Sequence, residues 1–438
     1  MIGPVPARKT IPLTAFSPDA ARKLEGPEWL IERRVAAAET FSHVSTPTKV
    51  AEEWRYSLID EFDLDRYRPS RQFGDAPMPR LDVEPAGMVR CINGHVVTVD
   101  IDEELATAGV YVGVLSGHRA APELLGVVAS EAGDYFTLLN DAFAEEPIVV
   151  DIPDGVVVER PIVITHHAAG EGAAAFPRLV VRVGENAQAD ILDQHTSNND
   201  ESILMCPVVE LDVGTAGRLG YLKVQEQGEG TWQFGSVLAR ADRDSTIRAA
   251  TAAFGGAYAR TRADTRLVGR GAHGDLMAVY FGEDAQTLDF RTYQDHVAPD
   301  TTSNLLYKGV LAGKARSIYT GLIRVRPDAH GTNAFQTNRN LKLSDDAWAQ
   351  SVPNLEIENN DVRCSHASTV SPIDEEQRFY LESRGVPTAE AERLIVAGFL
   401  EEVFQSVPIP SAVPALRAAV AAKLARQGQE LSDGGDPS

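Results

Sequence analysis

Cysteine is scarce in this chain. Only Cys91, Cys206 and Cys364 occur in 438 residues, an odd number and widely spaced. No CxxC pair is present, so neither a zinc ribbon nor a disulfide framework can be read, and a reducing compartment fits. Basic charge is also short. Forty-one Lys and Arg face 63 Asp and Glu, for a formal net charge of −22. That balance opposes sequence-independent binding to nucleic acid or to an anionic membrane surface. No apolar run approaches the ~20 residues of a membrane-spanning helix. Arg8 and Lys9 have no apolar stretch behind them, so no signal peptide is read. A cytoplasmic protein is expected, with a core large enough for two or three structural units.

The apolar pattern changes period twice. Up to about residue 80 it is helical. Ser17-Pro18-Asp19 is a helix start, Gly26-Pro27 opens a second helix through Phe41, and residues 50–60 are expected to form a third with Trp54, Leu58 and Ile59 on one side. From Leu81 the pattern alternates. "MVRCINGHVVTVDI" reads as a hairpin turning at Asn93-Gly94, and Cys91 falls in it as a small buried hydrophobe. From Ile148 to about Leu343 come short β runs with turn clusters at 184–186, 214–217, 242–244 and 269–271. Their spacing of roughly thirty residues signals a repeat whose coils must stack to bury their apolar faces. No helical pattern long enough for a βαβ crossover lies between them. A β-solenoid or a β-sandwich follows, continuous from Ile148 to His366. After Asp374 the period is helical again. Three amphipathic helices are expected, the first capped by Asp374 and stopped at Gly385, the second capped by Thr388, and the third through Leu416 and Leu424. Residues 427–438 read as a disordered tail.

Several motif matches carry little. Residues 269–274 spell GxGxxG, but an alternating run follows where a dinucleotide fold needs a helix. Residues 309–315 miss the phosphate loop by one residue of spacing and by Ala315 in place of Ser or Thr. His166, His167, His195, His296 and His330 have no zinc spacing and read as structural residues, although Asp193 and His195 would share one strand face. Tyr221, Lys223 and Gln225 read as an exposed sheet face. Cys364 and His366 are two apart, so on a strand both leave by one face. They could hold a soft metal or an iron–sulfur unit, or they could be two half-buried residues packed for shape.

The flanks of that pair are distinctive. "NRNLKL", "PNLEIENNDVRCSHASTVSPIDEEQ" and "RFYLESRG" closely resemble the SufB/SufD family of iron–sulfur cluster assembly scaffolds. Further similarity lies in "EEWRYSLIDEFDLDRY" from Glu52, "DYFTLLNDAF" from Asp134 and "DHVAPDTTSNLLYKGVLAGKARSIYTGLIRV" from Asp295. The likeness spans about Glu52 to Phe404. The Cys-Ser-His order is similar to SufD members; SufB members carry Cys-His-Glu or Gly-His-Glu there. The resemblance implies a mainly β fold: a right-handed parallel β-helix over 148–373, an N-terminal helical region over 1–80, a mixed segment over 81–147 and a C-terminal helical unit over 374–426. It implies no enzymatic activity of the chain alone. It implies a complex with a SufB-type paralogue through the β-helix and a SufC-type ABC ATPase through the C-terminal helices, or a homodimer when alone. A nascent iron–sulfur cluster would sit at the subunit interface, with His366 and Cys364 as ligands, and a reduced flavin is associated with the family's complex. A SufB-type role is the near alternative. A carbohydrate-active β-helix enzyme is the distant one, since it needs paired carboxylates and usually export.

Overall fold

The computed structural model describes residues 14–70, 77, 83–129 and 134–433. The helix Pro18–Arg22 begins as its sequence requires, with the Ser17 hydroxyl accepting from the Ala20 amide and Pro18 in the first turn. The helix Glu28–His43 turns Leu30, Val35, Ala38 and Phe41 inward. Residues 50–60 do not form the expected third helix. They make separate 3-10 turns at Glu52–Trp54 and Ile59–Glu61. Tyr56 has φ +71°, and the Ser57 hydroxyl donates to the Trp54 carbonyl, so a side chain takes an acceptor that a helix would need. The aromatic residues here instead pack tilted or edge-on between a helix and the sheet. Trp54 and Phe62 pack on Phe136 and Phe234, and Arg260 stacks 3.8 Å over Trp54.

The hairpin Gly87–Ile92/His95–Ile101 turns at Asn93 and Gly94, with φ +49° and +88°. Both central residues in the left-handed region are what a two-residue turn between twisted strands demands. From Ile148 onward the long strands alternate between two sheets, and the ladders they make with one another are parallel. Thr287 pairs with Arg316, and Thr302 with Asn333. One coil is thus about thirty residues, the period seen in the turn clusters. The turns stack as well: the amides of Asn186, Ala216, Asp244, Gly271, Asp300 and Gly331 each donate to a carbonyl of the next coil. Side-by-side parallel coils exclude the sandwich alternative. The result is a β-solenoid of about eight turns, and no helix interrupts 148–372. The GxGxxG stretch is a turn into the strand His273–Gly282, with Gly271 at φ +73°, and Gly313 at φ +58° turns the near-phosphate loop. Neither opens a helix.

The interior is filled by alternate residues of both sheets. A column of rings runs along it: Tyr280, Phe290, Tyr307 and Tyr319, with neighbouring centroids 4.6–5.6 Å apart. Phe290 is 1 % exposed. Phe290→Ala should therefore cost ~3–5 kcal/mol, read as a fall in the denaturant midpoint, because the flanking rings are tied into sheets and cannot collapse into the void. A loss under about 1 kcal/mol would contradict that packing.

The C-terminal helices build a second apolar core outside the solenoid. Thr388–Phe404 and Val413–Asp433 cover the outer face of the second sheet, where Val396, Leu400, Phe404 and Leu416 meet Leu222, Val224, Met277 and Phe281. Lys423 pairs with Glu283 at 2.5 Å, and Lys308 with Glu402 at 2.6 Å. Deleting these helices would uncover an apolar sheet face. Asp374 caps the helix Glu375–Ser383 through the amides of Glu376 and Gln377, and Gly385 at φ +85° ends it. The second helix starts after Pro387 rather than with Thr388 as cap. The third runs on to Asp433 where a disordered tail was expected from Gln427, since 427–433 contains no proline and one glycine. Residues 434–438 lie outside the described part, as do 1–13.

Candidate functional site

Among the described residues nothing caps the end of the solenoid. Its last two strands, Trp348–Ile357 and Val362–Pro372, each pair on one side only. All their residues are half-buried or exposed, whereas the strands of earlier coils are mostly buried. Cys364 stands over Ala334 and His366 over Gln336. Ala334 and Gln336 are 0 % and 2 % exposed and face the interior. The thiol and the imidazole thus continue two interior columns, but no further coil covers them. Cys364 touches the apolar group of Ile323, Val325, Ala329 and Ala334, and burial pushes its thiol pKa up, with the Ala334 backbone pulling it partly back. His366 is exposed. The spacing argument for one shared face is met.

A polar niche lies below His366 that single-residue reading missed. Among the described residues the Gln336 amide and the Ser351 hydroxyl make no well-aligned hydrogen bond. Gly321 makes room: a Cβ there would meet Gln336 Nε2 at 2.2 Å and the Tyr319 hydroxyl at 2.3 Å. The alternation of "NAFQTNRN" carried the signal, since Gln336 occupies an inward position among polar neighbours.

A second cluster lies far from this end. His166, Asp193 and His195 meet inside the solenoid with one ligand atom each within 4.8 Å of the others. The sequence places Asp193 and His195 on one strand face but leaves His166 apart, yet His166 and His195 are one coil apart and pair directly across the ladder. Tyr221, Lys223 and Gln225, read as an exposed face, are all buried, at 0–1 % exposure. They fill the interior of the next coil. The Tyr221 hydroxyl donates to Asp193 at 2.6 Å. Burial pushes the Asp193 carboxyl up, but its imidazole and phenol neighbours outweigh that and hold it well below the usual range. Burial pushes Lys223 down to about 8. Six ladder steps, ~29 Å at ~4.8 Å each, separate this cluster from the open end. The interior between them is blocked by Leu276, Phe290 and Leu305.

His296 provides a pH test independent of both sites. Its ring is bonded to Thr301 and Ser303, and burial pushes it from 6.5 down to about 4. An imidazole with a depressed pKa binds its proton less readily than the unfolded chain does. Its stabilisation is complete above 6.5 and is lost as pH falls through about 4. That window should remove ~3 kcal/mol. Denaturant midpoints should drop across it, and His296→Gln should flatten the slope; equal slopes would reject the assignment.

The fold and its open end define a class: a parallel two-sheet β-solenoid that presents a thiol and an imidazole beside two unpaired strand edges. Comparison with known proteins narrows it. Residues 165–399 match the family described as "SUF system FeS cluster assembly, SufBD core domain", and residues 20–164 match the "SufBD protein N-terminal region". An iron-sulfur cluster assembly SufBD family protein of Mycobacterium tuberculosis is 33 % identical over 378 residues, covering 83 % of this chain and 91 % of its own. The iron-sulfur cluster assembly protein SufD of Bacillus subtilis is 26 % identical over 407 residues, covering 89 % and 92 %. SufD of Escherichia coli is 25 % identical over 370 residues, covering 82 % and 85 %. The chain belongs to the SufB/SufD family of iron–sulfur cluster assembly proteins and is SufD-like. Among the described residues no helix is long and apolar enough to cross a membrane.

Proposed function

We propose that the chain is a SufD-type scaffold subunit that joins a SufB-type paralogue through the open end of its solenoid and helps hold a nascent iron–sulfur cluster there. One observation carries this reading: Cys364 and His366 lie in interior columns on a free edge strand of the last coil, which no described residue covers. Unpaired edges of ten and eleven residues are templates for another chain. One Cys and one His cannot complete a cluster's coordination, so the partner must add ligands. The Cys364-Ser365-His366 order favours SufD over SufB. The chain would have no catalytic residues of its own and would act in the cytoplasm. When alone, it would pair with a second copy by the same edges. Residues 1–80, 81–147, 148–373 and 374–426 would serve as helical cap, connector, scaffold and docking unit. Any reduced flavin would belong to the assembled complex. Co-expression with the paralogue and ATPase, followed by anaerobic reconstitution, tests the reading: cluster should form only when all three chains are present. Equal assembly without this chain would reject it.

The ATPase contact is assigned to the helices Glu375–Ser383 and Thr388–Phe404. Phe379, Tyr380 and Leu394 are 70 %, 55 % and 48 % exposed. Tyr380 and Leu394 border a groove of about 1080 Å³ that Lys308, Arg339 and Phe399 also line. Large exposed apolar groups rimmed by charge suit a protein partner. Because Thr388–Phe404 packs on the outer face of the second sheet, point changes test the contact better than deletion. Tyr380→Asp with Leu394→Asp should leave the melting temperature within a few degrees and weaken ATPase capture at least tenfold. Unchanged capture would move the contact elsewhere.

A further inference from the structure

We propose that His166, Asp193 and His195 form a resident site for one divalent transition-metal ion of borderline softness, such as zinc or ferrous iron, inside the N-terminal half of the solenoid. The donor atoms face one another. Asp193 Oδ2 is 2.9 Å from His195 Nε2, and Oδ1 is 3.7 Å from His166 Nε2. Metal–nitrogen bonds of ~2.0–2.1 Å in a tetrahedral site set neighbouring ligands ~3.3 Å apart. The two distances, to different oxygens of Asp193, straddle that value, and one donor atom from each residue lies within 4.8 Å of the others, so side-chain shifts would close the set.

The scaffold presets the arrangement. Asp193 and His195 alternate onto one face of the strand Gln188–Ser197, and His166 comes from the adjacent strand Ile162–Ala168. The rings lie 5.0 Å apart at 40°. Tyr221, from the strand on the other side, bonds to Asp193 Oδ2 and orients the carboxylate, as outer partners of metal ligands do.

The cluster is also incomplete as it stands. Asp193 Oδ1 and both nitrogens of His195 have no well-formed hydrogen bond, though the residues are 0 % exposed. Buried polar atoms are almost always satisfied, and a buried carboxylate needs a charged contact. Lys223 is the nearest candidate, since it pairs across the ladder from Asp193. Yet its Nζ makes no hydrogen bond, and among the described residues no carboxylate lies within 4.0 Å of it. Two imidazoles and one carboxylate suit zinc or ferrous iron and disfavour calcium and magnesium. The site is closed, so the ion would enter as the coils form and would staple two of them together. It lies six ladder steps from Cys364 and His366 and does not rest on their proposed role.

The test uses the full chain carrying Cys364→Ala and His366→Ala, so that the open end adds no metal. It is expressed in minimal medium supplied with Zn²⁺, Co²⁺ or, anaerobically, Fe²⁺, then passed over chelating resin. Metal per chain is read by mass spectrometry, and the Co²⁺ form by its electronic spectrum. The expected result is one ion per chain with a spectrum of nitrogen and oxygen ligation. The ion that fills the site during growth in mixed supply separates zinc from iron. Asp193→Asn and His195→Asn should each lower occupancy at least tenfold, with folding checked by circular dichroism. Lys223→Met distinguishes the metal from a metal-free polar core: it should keep or raise occupancy, because a competing buried cation is removed. The proposal is overturned if the starting chain holds less than a tenth of an ion of every metal. It is equally overturned if the Asn variants stay fully loaded, if only Mg²⁺ or Ca²⁺ is retained, or if folded Lys223→Met loses its metal. Should the Asn variants fail to fold, the cobalt spectrum of the starting chain decides: no ligand-field band from imidazole coordination rejects the site.

Discussion

Replacing His366 by Ala is expected to abolish cluster assembly, by at least tenfold in cluster formed per complex, while the subunits still associate. The ring is exposed in the free chain and packs no core, so its loss should leave the melting temperature unchanged. An imidazole nitrogen can ligate iron directly, and no other histidine occupies this coil. Cys364→Ala should be milder. Burial raises that thiol's pKa, so in the free chain it is held protonated and becomes a ligand only when bound metal displaces the proton. It also contributes an apolar contact to Ile323 and Ala334, which Ala partly keeps. Anaerobic reconstitution with the paralogue and ATPase, read by visible absorbance, measures both. If His366→Ala assembles cluster at the wild-type rate, the assignment of this residue is wrong. If it also dissociates the complex, the pair serves packing instead.

The β body was legible because each coil repeats the same local chemistry. Turn residues such as Gly184, Gly214 and Asp244 recur at the coil length, and the apolar alternation between them has period two. The hairpin at Asn93-Gly94 and the cap at Asp374 were legible for the same local reason: a single residue type satisfies a single backbone need. Residues 50–60 were misread because Trp54, Leu58 and Ile59 keep a helical spacing by chance. What decides that segment is the fit of Trp54 to Phe136 and Phe234, and those partners are 82 and 180 residues away.

The two sites differ in legibility for a related reason. Cys364 and His366 are two residues apart, so one strand brings them together. His166 and Asp193 are 27 apart, and only the ladder register makes them neighbours. The polarity of Tyr221, Lys223 and Gln225 implies a solvent face. In a narrow solenoid the inward face of one coil is short, and polar side chains can be enclosed by coils on both sides. The coil register, once known, converts such scattered residues into columns.

The open end makes the second large expectation. Val370→Asp should weaken association of the solenoid end, with the paralogue or with a second copy, at least a hundredfold. Val370 is 43 % exposed and stands over Asn340, which is 1 % exposed and faces the interior. In the free chain an aspartate there is wet and costs little. Under a partner coil it becomes a buried, unpaired carboxylate. Burying even a neutral polar group without a hydrogen bond costs ~2–7 kcal/mol, and a charge costs more. A hundredfold corresponds to ~2.7 kcal/mol, at the low end of that range. Val50→Asp is the control, since Val50 is 90 % exposed on the N-terminal side and should change nothing. Sedimentation equilibrium of the variant, alone and with the paralogue, reads the effect, with circular dichroism to show that the solenoid persists. Wild-type association of a folded Val370→Asp chain would mean that the free edges Trp348–Ile357 and Val362–Pro372 stay in water in the complex, and the contact would then have to lie on a side face of the sheets.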